Sequence, residues 1–196
     1  MTSLEAALRG VSTELTGVRV AFALVGGLAV SVRTEPRFTR DADLAVAVAS
    51  DGEAEALIHT LQTRGYGIEA AVEQEAAGRL ATVRLMPAGD PLGPVIDLLF
   101  ASSGIESEVV GDAEPIELLP GLRIGVARTG SLIALKVLAR DDVHRPQDLV
   151  DLRALLRVAS ADELTRARHS LRLIAERGYH RGRDLEAERR RLSPDL

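Results

Sequence analysis

The dense apolar segment from Val18 to Val25, closed by Gly26 and Gly27, most constrains how this chain folds. A strand that is apolar without alternation cannot be half exposed, so it belongs in the interior of a sheet. The glycine pair ends the strand, and Leu28 to Val32 has the character of a short helix. The pattern predicts a buried strand that turns directly into a helix.

The segments that follow predict an α/β (α+β) fold, with a mixed sheet and helices packed against it. The further strands are expected at Asp41 to Val48, Ala81 to Met86 and Val95 to Phe100, and the helices at Ser3 to Leu15 and Glu53 to Arg64. The loop at 33–40 carries three arginines, Arg33, Arg37 and Arg40.

From Thr129 onward the pattern changes to helices alone, which predicts a core at 1–127 and a helical region at 128–196. The expected helices are Ser131 to Arg140, Gln147 to Val158 and Asp162 to Arg177. The charged stretch from Arg181 to Leu196 is interpreted as a solvated helix or a frayed tail.

Composition restricts the kind of metal that the chain could hold. It contains no cysteine, and its four histidines are scattered without the spacing of ligands. Any metal is therefore expected to be a hard cation on carboxylates, Mg²⁺ or Mn²⁺.

No segment approaches the ~20 apolar residues of a membrane span, so we expect a cytoplasmic protein that does not contact a membrane.

Three aspartates are candidates for binding such a cation. Residues two apart in a strand share a face, so Asp41 and Asp43 place two carboxylates side by side. Asp97 lies within an apolar strand, where an unpaired charge costs several kcal/mol on the order of the usual burial penalty. Acidic pairs that begin a strand are also commonly solvated or act as caps, and glycine pairs are commonly simple turns.

Lys136 is the only lysine among 24 basic residues, and it lies on an apolar helical stripe. Such an ammonium requires an anion. That anion is either a nucleotide phosphate or Asp151 on the next helix, in a buried ion pair. Asp148 follows Pro146 in the first turn of that helix, where a carboxylate is favourable whatever the function.

These motifs together resemble the polymerase-beta-like nucleotidyltransferase superfamily. The resemblance rests on the glycine pair, the short helix, Thr39-Arg-Asp41-Ala-Asp43 and the later Asp97. The segments Leu132-Ile-Ala-Leu-Lys136-Val-Leu-Ala-Arg140 and Arg145-Pro-Gln-Asp148-Leu-Val-Asp151-Leu narrow it to the AbiEii-type nucleotidyltransferase toxins of bacterial toxin-antitoxin systems, including mycobacterial members. The similarity spans Phe22 to Leu156.

The resemblance implies a magnesium-dependent toxin that adds nucleotides, with pyrimidines favoured, from a nucleoside triphosphate to the 3′ end of tRNA. Translation would stop, and a cognate antitoxin would neutralise the enzyme. The implied catalytic residues are Asp41, Asp43, Asp97, Lys136 and Asp151. The first three would bind metal, and Gly26, Gly27, Thr39, Arg40 and Lys136 would bind nucleotide. Asp148, Arg33 and Arg37 are further candidates.

The resemblance also implies that the antitoxin inhibits the enzyme by phosphorylation of Thr39. A phosphate there would set almost two negative charges against the metal-binding carboxylates. Two alternatives remain open. The acceptor could be a small molecule or a protein hydroxyl, or the fold could be a non-catalytic module that binds a partner protein. Retention of Asp41, Asp43, Asp97 and Lys136 together argues against the non-catalytic module.

Overall fold

The computed structural model describes residues 3–74, 77–87, 89, 93–141 and 143–192. The helices in these ranges are α1 (Ser3–Gly17), α2 (Gly26–Arg33), α3 (Asp51–Thr63), α4 (Glu106–Gly111), α5 (Thr129–Ala139), α6 (Pro146–Val158), α7 (Ala161–Glu176) and α8 (Leu185–Leu192). The strands are β1 (Phe22–Val25), β2 (Ala42–Val46), β3 (Gly67–Gln74), β4 (Arg79–Met86), β5 (Ile96–Leu99), β6 (Glu114–Leu119) and β7 (Leu122–Val126).

The strands form one mixed sheet in the order β3-β4-β5-β2-β1-β7-β6, which confirms the predicted architecture. Strand β1 pairs antiparallel with β2 and parallel with β7. Strand β2 pairs parallel with β5, and β5 pairs antiparallel with β4. The apolar strand after the first helix therefore lies near the centre of the sheet, as its composition requires.

Register across the central strands separates a core row from a polar row. Leu24, Leu44 and Leu98 lie side by side and are completely buried. The next row, with side chains on the opposite face, contains Asp43 and Asp97 as direct partners. The alternation of strand side chains thus gives one face to the core and leaves the other for polar groups.

The first predicted strand is too long. Residues Val18 to Ala21 are not in β1, because α1 continues to Gly17 and ends in a turn in which Arg19 adopts a positive φ of 59°. The backbone N–H groups of Val18 and Val20 donate to Glu14 and Leu15 at the end of α1. Those bonds satisfy the helix end and remove these residues from the sheet.

Sequence reasoning missed β3, α4, β6 and β7. It also placed the second strand at Asp41 to Val48, whereas β2 covers Ala42–Val46 and leaves Asp41 just before the strand. The stretch from Arg181 to Leu196 was expected to be a solvated helix or a frayed tail. It contains α8, which is not fully solvated, because Leu185 and Arg189 are buried and Arg189 pairs with Glu186. Residues 193–196 lie outside the described residues.

All seven strands precede residue 127, and α5 to α8 follow it. Gly130 allows α5 to approach α7 closely, since a Cβ there would collide with the backbone oxygen of Glu163 and lie 2.8 Å from the Cβ of Arg166. The division into 1–127 and 128–196 stays a prediction.

Within the part of the chain that the structure describes, no helix is both long and apolar enough to traverse a bilayer.

Candidate active site

A cavity of about 990 Å³ lies between the polar face of the sheet and helices α5 and α6. Its floor comes from strands β1 to β5 and from the start of α2, and its far wall comes from α5, α6 and the turn near Arg181. The sequence-predicted residues that line it are Gly26, Gly27, Arg37, Thr39, Asp41, Asp43, Asp97, Lys136 and Asp148.

A row of charged side chains crosses three adjacent strands. Asp43 on β2 is the register partner of Asp97 on β5, and Asp97 is the partner of Arg84 on β4. Asp41 precedes β2 by one residue and lines the same cavity. The two-residue spacing of Asp41 and Asp43 therefore brings both side chains to one place, as the strand geometry predicted.

Arg84 is a site residue that sequence reasoning missed. Its Nε and Nη2 each donate to a different oxygen of Asp97, both at 2.9 Å. Asp97 therefore has the partner that its burial requires, and this partner is an arginine. The available signal was weak: Arg84 is a charged residue between buried Val83 and Leu85 on the strand predicted at Ala81 to Met86.

Asp43 has the least balanced charge in the row. Burial raises the pKa of Asp43 above its usual value, and nearby Asp97 and Asp41 raise it further. The charge of Lys136 and a hydrogen bond from the backbone N–H of Gly27 oppose this rise. A carboxylate in such surroundings is stabilised in its charged form by an added cation.

The two glycines make room for the side chains around Asp43. Gly26 has a positive φ of 63°, and a Cβ at this position would overlap the carboxylate of Asp43. A Cβ on Gly27 would lie 2.6 Å from Nη2 of Arg37 and 3.2 Å from Oγ1 of Thr39. Both positions therefore require glycine for close approach, and the pair is more than a simple turn.

Lys136 is held between two aspartates of α6. Its Nζ lies 2.7 Å from Oδ1 of Asp148 and 2.8 Å from Oδ2 of Asp151, and all three side chains are almost completely buried. This is the buried interhelical ion pair that the sequence left open, with a second carboxylate added. Lys136 also lines the cavity, and its positive charge acts to lower the pKa of Asp43.

Arg37 ties the loop after α2 to this ionic cluster. Its Nε and Nη2 donate to the two oxygens of Asp151, both at 2.7 Å, and Nη1 donates to the carbonyl of Phe38 at 3.1 Å. Burial tends to raise the pKa of Asp151, but hydrogen bonds from Arg37, Lys136 and Gln147 outweigh it and lower the pKa. Asp151 thus remains charged and anchors both partners.

Three predicted residues do not line the cavity. Arg33 donates to the carbonyls of Ala127 and Val126 and pairs with Glu114, so it fastens α2 to the edge of the sheet. Arg40 lies over the ring of Phe38. Asp151 is behind Lys136 and acts on the cavity through it and Arg37.

The donor chemistry of the cavity suits one hard divalent cation. In the described ranges, no group of three or more His, Asp or Glu side chains is placed to hold a metal ion. Mg²⁺, however, is usually bound by one or two carboxylates, with water and substrate phosphates completing its shell. Asp41 and Asp43 provide that pair, while both oxygens of Asp97 are bound by Arg84.

Comparison with known proteins gives a family and a fold. The sequence model described as "Nucleotidyl transferase AbiEii toxin, Type IV TA system" matches residues 14–196. No curated protein matches the sequence.

Three solved structures are similar over most of both chains. An antigenic nucleotidyltransferase-like protein from Paracoccidioides brasiliensis is 17% identical, with a TM-score of 0.54 over 95% of this chain and 91% of that one. The antibiotic-resistance factor ANT(2'')-Ia is 16% identical, with a TM-score of 0.56 over 93% and 100%. The lincosamide antibiotic adenylyltransferase LnuA is 15% identical, with a TM-score of 0.51 over 79% and 98%. These similarities confirm the predicted nucleotidyltransferase fold.

Proposed function

Because the chain belongs to the AbiEii family of nucleotidyltransferase toxins, it is a nucleotidyltransferase, and we propose that tRNA is its acceptor. The enzyme would add nucleotides, preferentially pyrimidines, to the tRNA 3′ end in the cytoplasm and so stop translation. One observation carries this proposal: Asp41, Asp43 and Lys136 line a single cavity.

The proposed reaction is attack of the terminal ribose hydroxyl on the α-phosphorus of a nucleoside triphosphate, with release of pyrophosphate. Asp41 and Asp43 would hold Mg²⁺ or Mn²⁺, which would offset the negative charge that develops on the phosphate. The backbone N–H groups at the start of α2, next to Gly26 and Gly27, favour an anion there. Lys136 has three donors, of which Asp148 and Asp151 use two, and the third would bind a phosphate oxygen.

The charges of the cavity favour an anionic acceptor over a cationic small molecule. Its described lining contains five acidic and five basic side chains. They are Asp41, Asp43, Glu73, Asp97 and Asp148, with Arg37, Arg84, Lys136, Arg145 and Arg181. A divalent cation on the first two acids would make the lining net positive, which favours a phosphate backbone and disfavours a polycation.

The direct test is incubation of the purified protein with Mg²⁺, tRNA and each labelled nucleoside triphosphate in turn. We expect label on the tRNA 3′ end, and none on tRNA whose terminal ribose has been oxidised with periodate. Asp41→Ala should remove the activity, and Glu55→Ala, which removes an exposed acid on α3, should leave it intact.

The outcomes separate the alternatives. Label transferred to small hydroxylated molecules or to protein, but not to tRNA, would show that tRNA is not the acceptor. Growth inhibition in cells that survives Asp41→Ala would mean that toxicity does not depend on transfer. The same variants allow a stability test, because a nucleotide at ~100 times its dissociation constant raises the free energy of unfolding by roughly 2.7 kcal/mol.

Thr39 is the proposed point at which the antitoxin inhibits the enzyme. Its Oγ1 lies 3.5 Å from the carbonyl of Asp41 and beside Gly27, so a phosphate on it would occupy the proposed nucleotide site. We expect Thr39→Glu to lose nucleotide binding and Thr39→Ser, which keeps the hydroxyl, to retain it, measured by thermal shift with Mg²⁺ and triphosphate. Equal nucleotide binding by both variants would show that a negative charge at Thr39 does not inhibit the enzyme.

A further inference from the structure

Among the phenylalanines and tyrosines of the described residues, Phe38 alone has a ring that is largely in solvent. The chain has three phenylalanines, two tyrosines and no tryptophan. Phe100 and Tyr179 are buried, while Phe22 and Tyr66 pack against the core. Phe38, in contrast, is 80% exposed.

The loop that carries Phe38 has two sides with different environments. Arg37, Thr39 and Asp41 are partly buried and line the cavity, whereas the intervening Phe38 and Arg40 are exposed. The backbone at Phe38 is held in place, because its carbonyl accepts a hydrogen bond from Arg37. The ring therefore stands at the rim of the cavity, with its neighbours in the chain inside it.

The guanidinium carbon of Arg40 lies over the ring of Phe38, 5.7 Å from the ring centre. The exposed ring of Phe38 and the planar guanidinium of Arg40 therefore lie next to each other. Single-stranded nucleic acids are bound by this combination, in which bases stack on aromatic rings and arginine contacts the phosphates.

We propose that Phe38 and Arg40 form a stacking platform for a nucleobase at the rim of the active site. The inference rests on the proposed function and deepens it, since it supplies the contact to a base that sequence reasoning did not identify. Because the platform lies on the outer side of the loop, the base belongs to the single-stranded 3′ end of the acceptor. The base of the incoming triphosphate is the other possible source, and the experiment distinguishes the two.

Because the chain has no tryptophan, a tryptophan introduced at position 38 would be a fluorescent probe of binding that does not require catalysis. Phe38→Trp introduces the single tryptophan of the chain at the proposed platform. Its fluorescence would be followed during titration with tRNA, with tRNA lacking its single-stranded 3′ end, with nucleoside triphosphate and with inorganic tripolyphosphate. We expect intact tRNA to quench the emission, and the trimmed tRNA and tripolyphosphate to leave it unchanged.

Each outcome decides the matter. Quenching by the triphosphate alone would keep the platform and assign it to the incoming base. Equal emission with all four ligands would overturn the platform. This readout is independent of whether the protein labels tRNA, so failure of the transfer assay and failure of the platform can be told apart.

Steady-state kinetics give a second measurement, which does not depend on the tryptophan variant. Loss of one stacked base lowers affinity by about tenfold, equivalent to about 1.4 kcal/mol. Phe38→Ala should therefore raise the KM for tRNA about tenfold without changing the kcat or the KM for the triphosphate, and Phe38→Tyr should restore it. Val158→Ala, which trims an exposed valine at the end of α6, is the matched control. An unchanged KM for tRNA in Phe38→Ala would contradict the proposal.

Discussion

Replacing Lys136 by methionine tests how much the ionic cluster between α5 and α6 contributes to folding. The side chains of Lys136, Asp148 and Asp151 are only 10%, 3% and 1% exposed, so the substitution leaves carboxylates buried without their shared cation. Removing one partner of a buried pair costs about 3–5 kcal/mol. Methionine has a similar length, so the loss would come from charge more than from a cavity.

The two aspartates would not be affected equally. Asp151 keeps both hydrogen bonds from Arg37 at 2.7 Å, so its charge remains compensated. Asp148 keeps only the ion pair with Arg145 at 3.0 Å, and the Arg145 side chain is 60% exposed. We therefore expect a loss near the lower end of the range, about 3 kcal/mol. For a domain of this size, Tm would fall by about 6–12 °C.

The assay is equilibrium unfolding in urea, without nucleotide or metal. Adding Asp148→Asn to Lys136→Met should recover at least ~1 kcal/mol, because it removes the poorly compensated charge. Arg157→Met, an exposed cation on α6, should change stability by less than ~0.5 kcal/mol. A loss below ~1 kcal/mol for Lys136→Met, or no recovery in the double variant, would refute the role of the cluster in stability.

Three further substitutions test the site and its support. Burial raises the folded-state pKa of Asp43, so protonation favours folding and this contribution is lost as pH rises through that pKa. Asp43→Asn should therefore raise Tm at neutral pH without metal, with a gain that shrinks in acid; a constant gain would exclude this cause. Gly130→Ala should cost about 1–3 kcal/mol in urea unfolding by overpacking α5 against α7, whereas Gly111→Ala, with no atom within 4 Å of its Cβ, should cost little. Arg84→Met frees both oxygens of Asp97 and should tighten Mn²⁺ binding by calorimetry; unchanged binding would mean that Asp97 cannot reach the metal.

Sequence patterns predicted the parts of the fold that bury alternating or continuous apolar residues. Strands β1, β2, β4 and β5 have such patterns, and all four were found near their predicted positions. Strand β3 was missed because six of its eight side chains are exposed, so it has no apolar period. Strand β6 contains Pro115, a residue found on edge strands, where it also weakens a strand prediction.

Asp41 and Asp43 line the same cavity, which their two-residue spacing on one short segment predicts; their role at the site stays a prediction. Asp97 was identified by its burial, but its partner Arg84 was not, because that contact depends on the register between β4 and β5. Lys136 was expected to need an anion. The structure supplies two carboxylates from α6, an arrangement set by helix packing and not by local sequence.

The hydrogen bonds from Arg37 to Asp151 join positions 114 residues apart. The loop that contains Thr39 and Asp41 is thus anchored to a helix synthesised long after it. Since chains fold from the N-terminus as they leave the ribosome, the sheet can form before this anchor exists. A polypeptide that stops before α6 therefore lacks the carboxylate that holds Arg37, and its loop is left without this anchor.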